Sequence, residues 1–396
     1  MLLAVAVSTG ACAPAPDTPD RDGPDGPGSP TVTFSGALVL FDGPEAVRLD
    51  GATGSTRDLF ALDGELGWGG FAALSDTGIV LYESLDDGVT SIRMYDPESG
   101  EVTALDDIAS VHDFDGRRLA YTRPDDTSVY DVLDMRSRDL GTGQTSSTLL
   151  STDGTELAFA SSVPTATPEA DLGEPQQRLS IRAADGSGDA SEVARGWYAY
   201  EPAHLATDTL VYVAYPFGGI ETGDVVLYDR HSAETSTLAS GARILDIDRN
   251  AALIAVAIDE GPETGRISII DVSIPSAVTM TDFESVPSST LSAATFMSAD
   301  LTLVAAIGHE DGSVALVRFD RGDGSQHTVT EFASASVAQL LAHPTNPVAF
   351  FVLEQSGAMP GETERSVGVC DVDRTAVSTL LEGATDRLLT LVGLVP

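Results

Sequence analysis

The chain has 396 residues, with 61 acidic side chains against 21 basic ones and a net charge of −40, and every basic residue is Arg because no Lys occurs. That charge argues against nucleic acid, whose phosphates would be repelled rather than exchanged for counterions, and favours cations, basic proteins or plain solubility. The absence of Lys, which GC-rich codon usage explains more simply than selection, rules out Schiff-base lysines and P-loop phosphate binding, since both need that ammonium group.

Residues 1–12 read MLLAVAVSTGAC, an apolar stretch closed by small residues and a cysteine. This resembles the end of a bacterial lipoprotein signal peptide, with Cys12 as the lipidated residue; the alternative is a secretory peptide cut elsewhere or a frayed apolar start. Leu2 to Ala11 is too short to span a bilayer. Residues 13–30, rich in Pro, Gly and Asp, cannot bury enough surface to order themselves and read as an extended tether. A tether after a lipidated cysteine places the remaining domain outside the cytoplasm, anchored to the cell envelope at the periplasm or cell surface, with membrane contact only through the lipid.

Residues 31–396 read as a single all-β domain. Eight times an apolar run ends in an aspartate followed by a tight-turn cluster: Asp50, Asp96, Asp139, Asp185, Asp229, Asp271, Asp320 and Asp371. The gaps of 46, 43, 46, 44, 42, 49 and 51 residues average about 46, the period of a four-stranded antiparallel unit repeated around a ring. FAALSDTG, IVLYES, SIRMYD and EVTALD give the four strands of one unit, with SDTG as the first turn and DPESG, which carries Pro97 and Gly100, as the last. Related first turns recur at Asp113–Gly116, Ser151–Gly154, Ala206–Thr209, Asp248–Asn250, Ser298–Asp300 and His343–Asn346. The segment 31–62 lacks a first strand, and RLLTLVGLV at the C-terminus is a strand with nothing after it, so the C-terminal strand is expected to complete the first unit. That predicts an eight-bladed β-propeller, with seven blades as the alternative if the N-terminal piece packs outside the ring.

The first strands and their turns, ALSDTG and LLSTDG, resemble the repeat of the periplasmic TolB-like propellers and the wider WD40-like group. This chain lacks the proline of the usual S-P-D-G turn. The last turns, DPESGE and DLGTGQ, are similar to the D-x-x-T-G turn of quinoprotein-type eight-bladed propellers, a group that includes a lipoprotein scaffold of outer-membrane protein assembly. The tryptophan that locks those blades is missing here. The resemblance covers about residues 31–396 as architecture and implies little about function.

In such a ring the first and last turns of each unit share one end. The middle loops and the links between units share the other. The middle loops are long, variable and acidic, carrying Glu169, Asp171, Glu174, Glu221, Asp259, Glu260, Glu263, Glu354, Glu362 and Glu364 with Arg365 as the local counterweight. Trp68 and Trp197 fall in links at the same end, Trp197 beside Tyr198 and Tyr200. Acids with aromatic anchors suit a basic protein segment, a cationic ligand or Ca²⁺; solvated acids and packing aromatics are the plainer alternative. None of the six histidines has metal-site spacing, each suits a surface turn, and a channel site built on His204 stays open. Asp246–Asn250 and Asp20–Gly26 have the look of calcium loops without the downstream glutamate, and no G-x-S-x-G elbow occurs. Cys370, in VGVCDV, suits a strand core. The expectation is a monomeric, tethered, non-enzymatic interaction scaffold or binding module with no cofactor; the alternative is a Ca²⁺-dependent propeller hydrolase or lactonase acting at the channel mouth.

Overall fold

The computed structural model describes residues 32–62, 65–66, 71–86, 89–105, 108–143, 145–163, 176–216, 222–261, 264–285, 290–297, 301–356, 362–382 and 389–395. The segments assigned to signal and tether, with Cys12, lie outside them, as do Trp68, Glu169, Asp171, Glu174, Glu221, Glu263 and the Ser298–Asp300 turn.

The described chain is a series of antiparallel sheets in which neighbouring strands follow one another in sequence. Unit 1 contains β1 (Ala37–Asp42), β2 (Glu45–Asp50) and β3 (Thr56–Ala61). Unit 2 contains β4 (Glu65–Leu66), β5 (Ala72–Leu74), β6 (Val80–Asp86), β7 (Val89–Tyr95) and β8 (Val102–Leu105). Unit 3 is β9 (Ser110–Phe114), β10 (Arg118–Thr122), β11 (Thr127–Asp131) and β12 (Arg136–Asp139). Unit 4 is β13 (Thr145–Leu150), β14 (Glu156–Ser162), β15 (Gln177–Ala183) and β16 (Ser191–Gly196). Unit 5 is β17 (Tyr198–Leu205), β18 (Thr209–Pro216), β19 (Gly223–Asp229) and the start of β20 (Glu234–Asp248). Unit 6 is the end of β20 with β21 (Leu253–Asp259), β22 (Gly265–Asp271) and β23 (Thr279–Ser285). Unit 7 is β24 (Leu291–Met297), β25 (Thr302–Gly308), β26 (Val314–Asp320) and β27 (Ser325–Phe332). Unit 8 is β28 (Ala335–Ala342), β29 (Val348–Ser356), β30 (Thr363–Asp371) and β31 (Ala376–Glu382). The C-terminal β32 (Leu389–Val395) pairs with β1, Ala37 opposite Val395 and Asp42 opposite Leu389, and supplies the first strand that unit 1 lacks. Units 5 and 6 form one sheet because β20 runs unbroken from the outer edge of one to the inner edge of the other, turning at Gly241 with a φ of 61° that a residue bearing a Cβ adopts only with strain.

The second strands explain the apolar runs. In β25, Leu303, Ala305 and Ile307 pack toward unit 6 while Val304 and Ala306 pack toward unit 8. A strand sandwiched between two neighbours is buried on both faces, so alternation gives way to a continuous apolar run. The buried apolar residues fall into eight clusters, one between each consecutive pair of units and one between units 8 and 1.

The repeated aspartates are turn caps. Each ends or follows a third strand, and its Oδ1 accepts the backbone N–H two residues on: Ala52 for Asp50, Glu98 for Asp96, Ser187 for Asp185, His231 for Asp229, Ser273 for Asp271, Gly322 for Asp320 and Asp373 for Asp371. The third copy corrects the sequence reading: Asp139 ends the outer strand β12, and the capping residue of unit 3 is Asp131, which accepts from Leu133 and Asp134. Four residues after the cap the chain enters the left-handed region at Gly54, Gly100, Met135, Ala233, Gly324 and Thr375. At Met135 (φ 49°) no glycine marks the turn, whereas Gly143 marks a false one four residues after Asp139.

Candidate functional site

Neighbouring units meet through their first strands, which line the centre. Seven of these strands carry a one-residue bulge, and the residue immediately after it is Asp113, Ser147, His204, Asp246, Ala293, Gln339 or Gly393. A bulge re-aims the following side chain out of the strand's alternation. Three of these side chains reach the next unit and accept a backbone N–H there: Asp113 from Leu150 (2.8 Å), Asp246 from Phe296 (2.6 Å) and Gln339 from Leu391 (2.8 Å).

The charged part of this lining spans units 3 to 6. Asp113 takes both guanidinium nitrogens of Arg249, Nη1 to Oδ2 at 3.0 Å and Nη2 to Oδ1 at 2.5 Å, although 136 residues separate them. The carboxylate is 8% exposed and the guanidinium 29%, so this forked pair is largely desolvated. His204 is 1% exposed and its Nδ1 has no hydrogen-bond partner. Burial, reinforced by the charge of Arg249, pushes the ring down to about 4, so it is neutral at physiological pH. Burial raises Asp246, against the opposing bond from Phe296. His112, the bulged residue of β9, is also held down by burial, opposed by Asp113, and its Nε2 lies 3.2 Å from Ser110 Oγ and 3.3 Å from Thr122 Oγ1. Chemically the group is a strut: both Asp113 oxygens are engaged, and a carboxylate so committed is a poor general base.

Two histidines expected at the surface are core residues, His204 and His343. His343 Nδ1 accepts the N–H groups of Thr345 and Asn346, which can only donate, so the ring proton sits on Nε2 and is given to Ser35 O at 2.9 Å. The ring thereby caps its own turn and ties unit 8 to the segment before β1. Cys370 is fully buried and burial pushes its thiol up to about 12, as suits a core residue. Among the described residues no three His, Cys, Asp or Glu side chains are grouped to hold a metal ion.

At the opposite end, Trp197 is half-buried in the link between β16 and β17, and Tyr198 is 44% exposed. Tyr200 is buried, its ring edge-on to Tyr212 with centroids 5.9 Å apart, so it packs the core between units 4 and 5. Asp259 and Glu260 are exposed, with Glu260 3.3 Å from Arg266, a counter-charge the sequence reading passed over. Glu354 faces Arg365 across β29 and β30 and pairs with it at 2.7 Å; Glu362 is half-buried. Glu354 also lines an open cavity of about 430 Å³ with Gly312 and Ser336.

No family model matches the chain, and no curated protein matches it. Solved structures do. The oligogalacturonate lyase of Vibrio parahaemolyticus superposes with a TM-score of 0.52 at 11% identity, over 81% of this chain and 95% of the lyase. An oligogalacturonate lyase in complex with manganese gives 0.52 at 11% identity over 90% and 98%. A prolyl endopeptidase gives 0.54 at 14% identity over 81% of this chain, which spans about half (49%) of that enzyme. These likenesses are to the β-propeller fold.

Proposed function

We propose that the chain is an extracytoplasmic, membrane-tethered eight-bladed propeller of the WD40-like or TolB-like kind, acting as a protein-interaction scaffold or binding module for a basic protein segment or cationic ligand. The observation that carries this reading is the commitment of the channel's charged side chains to bonds between units, above all Asp113 to Leu150 and Arg249. Catalytic groups need a free acceptor or nucleophile, and struts do not supply one. Recognition then falls to the loop end, where Tyr198, Asp259 and Glu260 are exposed on a rigid frame. Binding of an oligo-arginine peptide by the full chain tests it. Asp259→Asn/Glu260→Gln/Glu362→Gln should weaken binding at least fivefold, while the equally neutralising Glu98→Gln/Glu101→Gln/Asp208→Asn at the turn end should not. Equal losses would reduce the effect to net charge and reject the assigned face.

A metal-dependent propeller enzyme, the hydrolase or lactonase alternative, is favoured by one observation, the unpartnered Nδ1 of buried His204 beside Arg249. One equivalent of Ca²⁺ or Mn²⁺ in the purified protein, with a large fall in melting temperature on chelation, would put this reading first.

A further inference from the structure

We propose that a cleft between units 3 and 4 at the turn end binds a small oxyanion, a carboxylate or phosphate group held by Arg136 and Arg138. The sheet register builds it. Arg118 lies opposite Asp131, Asp131 opposite Arg136 and Val129 opposite Arg138, so these side chains share the face of unit 3 that looks toward unit 4. Deeper on that face, Ala120 and Val129 pack against Leu157 and Phe159 of unit 4. Toward the turn end the apolar contact gives way to guanidinium groups. The facing wall of unit 4 is made mostly of small residues, Gly154, Thr155, Ala183 and Ala184, with exposed Asp185 beside them, and the mismatch between long and short side chains leaves a cavity of about 310 Å³.

The concentration of positive charge is unusual for this chain. Of 21 Arg in a protein of net charge −40, four line this one cleft, Arg117, Arg118, Arg136 and Arg138, against three carboxylates, Asp131, Asp134 and Asp185, so the lining is net positive in an otherwise acidic chain. Two are engaged by the protein itself, Arg117 with Asp131 at 2.9 Å and Asp134 at 3.5 Å, and Arg118 with Asp131 at 3.9 Å. Asp131 in turn spends its other oxygen on the turn. Arg136 and Arg138 stand two apart on the outer strand, exposed, and among the described residues neither is in an ion pair within 4 Å, although the charge of Arg138 reaches Asp185 across the cleft. Planar guanidinium groups with free donors match the two-oxygen edge of a carboxylate or phosphate. The surrounding negative field keeps bulk anions away, so occupancy requires this local geometry. The cleft lies at the end opposite the acidic loops and takes a ligand of opposite sign, so it stands independently of the function proposed above.

The test is calorimetric titration of the full chain with inorganic phosphate and, separately, with succinate, both at fixed sodium chloride. Saturable binding at one site is expected for at least one of them, the stronger naming the oxyanion. Arg136→Ser/Arg138→Ser should weaken it at least tenfold. Thr155→Trp fills the cleft from the exposed facing wall without changing any charge and should do the same, which keeps the test decisive if the arginine variant fails to fold. No saturable binding of either anion, or undiminished binding in a folded variant, overturns the proposal. A melting-temperature rise that chloride reproduces at equal ionic strength also counts against it, because screening alone relieves repulsion in so acidic a chain.

Discussion

At the turn end the chain reverses from Asp229 to Glu234 and again from Asp320 to Ser325, around carboxylates that accept backbone N–H groups, Asp229 in the first and Asp320 and Asp323 in the second. At the loop end the reversal from Ser162 to Gln177 spans fourteen intervening residues, and that from Ser356 to Thr363 spans six. The turn end thus satisfies its backbone with local side-chain caps, whereas the loop end includes much longer connections, with Tyr198 exposed at the start of β17. Regular caps fix geometry, and length gives room for recognition. The Asp113–Arg249 strut belongs to the turn end, because Arg249 sits in a first turn.

The sharpest way to break this contrast is to cut the strut. Arg249→Met leaves the Asp113 carboxylate buried without its partner and should cost about 3 to 5 kcal/mol in denaturant unfolding. The double change Asp113→Asn/Arg249→Met, whose amide oxygen can still accept from Leu150, should recover much of that loss; no recovery would mean the pair is not what joins units 3 and 6.

Acid should act through the same region. Folded His204 binds its proton less readily than the unfolded chain does, with about 4 against an ordinary 6.5. As pH falls below 6.5 the unfolded chain therefore takes up a proton first, and folding loses stability, by about 3 kcal/mol in all, until the folded ring protonates near pH 4. A flat stability profile in that window, or an unchanged slope in His204→Gln, would remove the histidine from the account. Below that window the turn caps follow with the same sense. Asp153 is held down to about 2, first by Ser151 and then by Thr155, and its contribution, present above the unfolded value of 3.8, fades as pH falls toward 2.

Smaller changes compare the caps with one another. Asp271→Ala should cost about 1 kcal/mol and Asp271→Asn less, since an amide oxygen can still accept from Ser273 although the 2.8 Å pair with Arg321 is lost. Met135→Gly relieves a left-handed backbone and should gain up to about 1 kcal/mol, read as a higher denaturation midpoint. At the loop end Tyr198→Ala should change stability by less than about 0.5 kcal/mol while weakening peptide binding, the reverse of the turn-end pattern.

The repeat was legible because a capping aspartate and a nearby glycine leave a mark at every turn. It failed at unit 3, where Met135 occupies the glycine position and DLGTG imitates the signal eight residues on. Acids in the loops could be read as a class, but Tyr200 looked like a surface anchor because a single strand cannot show which face its neighbour covers. The Asp113 and Arg249 pair was invisible for a stronger reason. A bulge decides where Asp113 points, and 136 residues of intervening chain decide what it meets. The cleft arginines sat in plain view as RR and RSR, yet only cross-strand register puts them on one wall.

The bulge positions have a consequence for how such a molecule can change. Asp113, Ser147, His204, Asp246, Ala293, Gln339 and Gly393 are equivalent places in successive units, yet they carry an acid, a hydroxyl, an imidazole, a methyl, an amide and a bare backbone. Positions that tie no unit to the next, such as Ala293, therefore behave like the pins of a lock cylinder, free to be recut alone, whereas Asp113, Asp246 and Gln339 also hold the neighbouring unit and Gly393, where an added Cβ would meet Leu74 Cβ at 2.8 Å, is fixed by space.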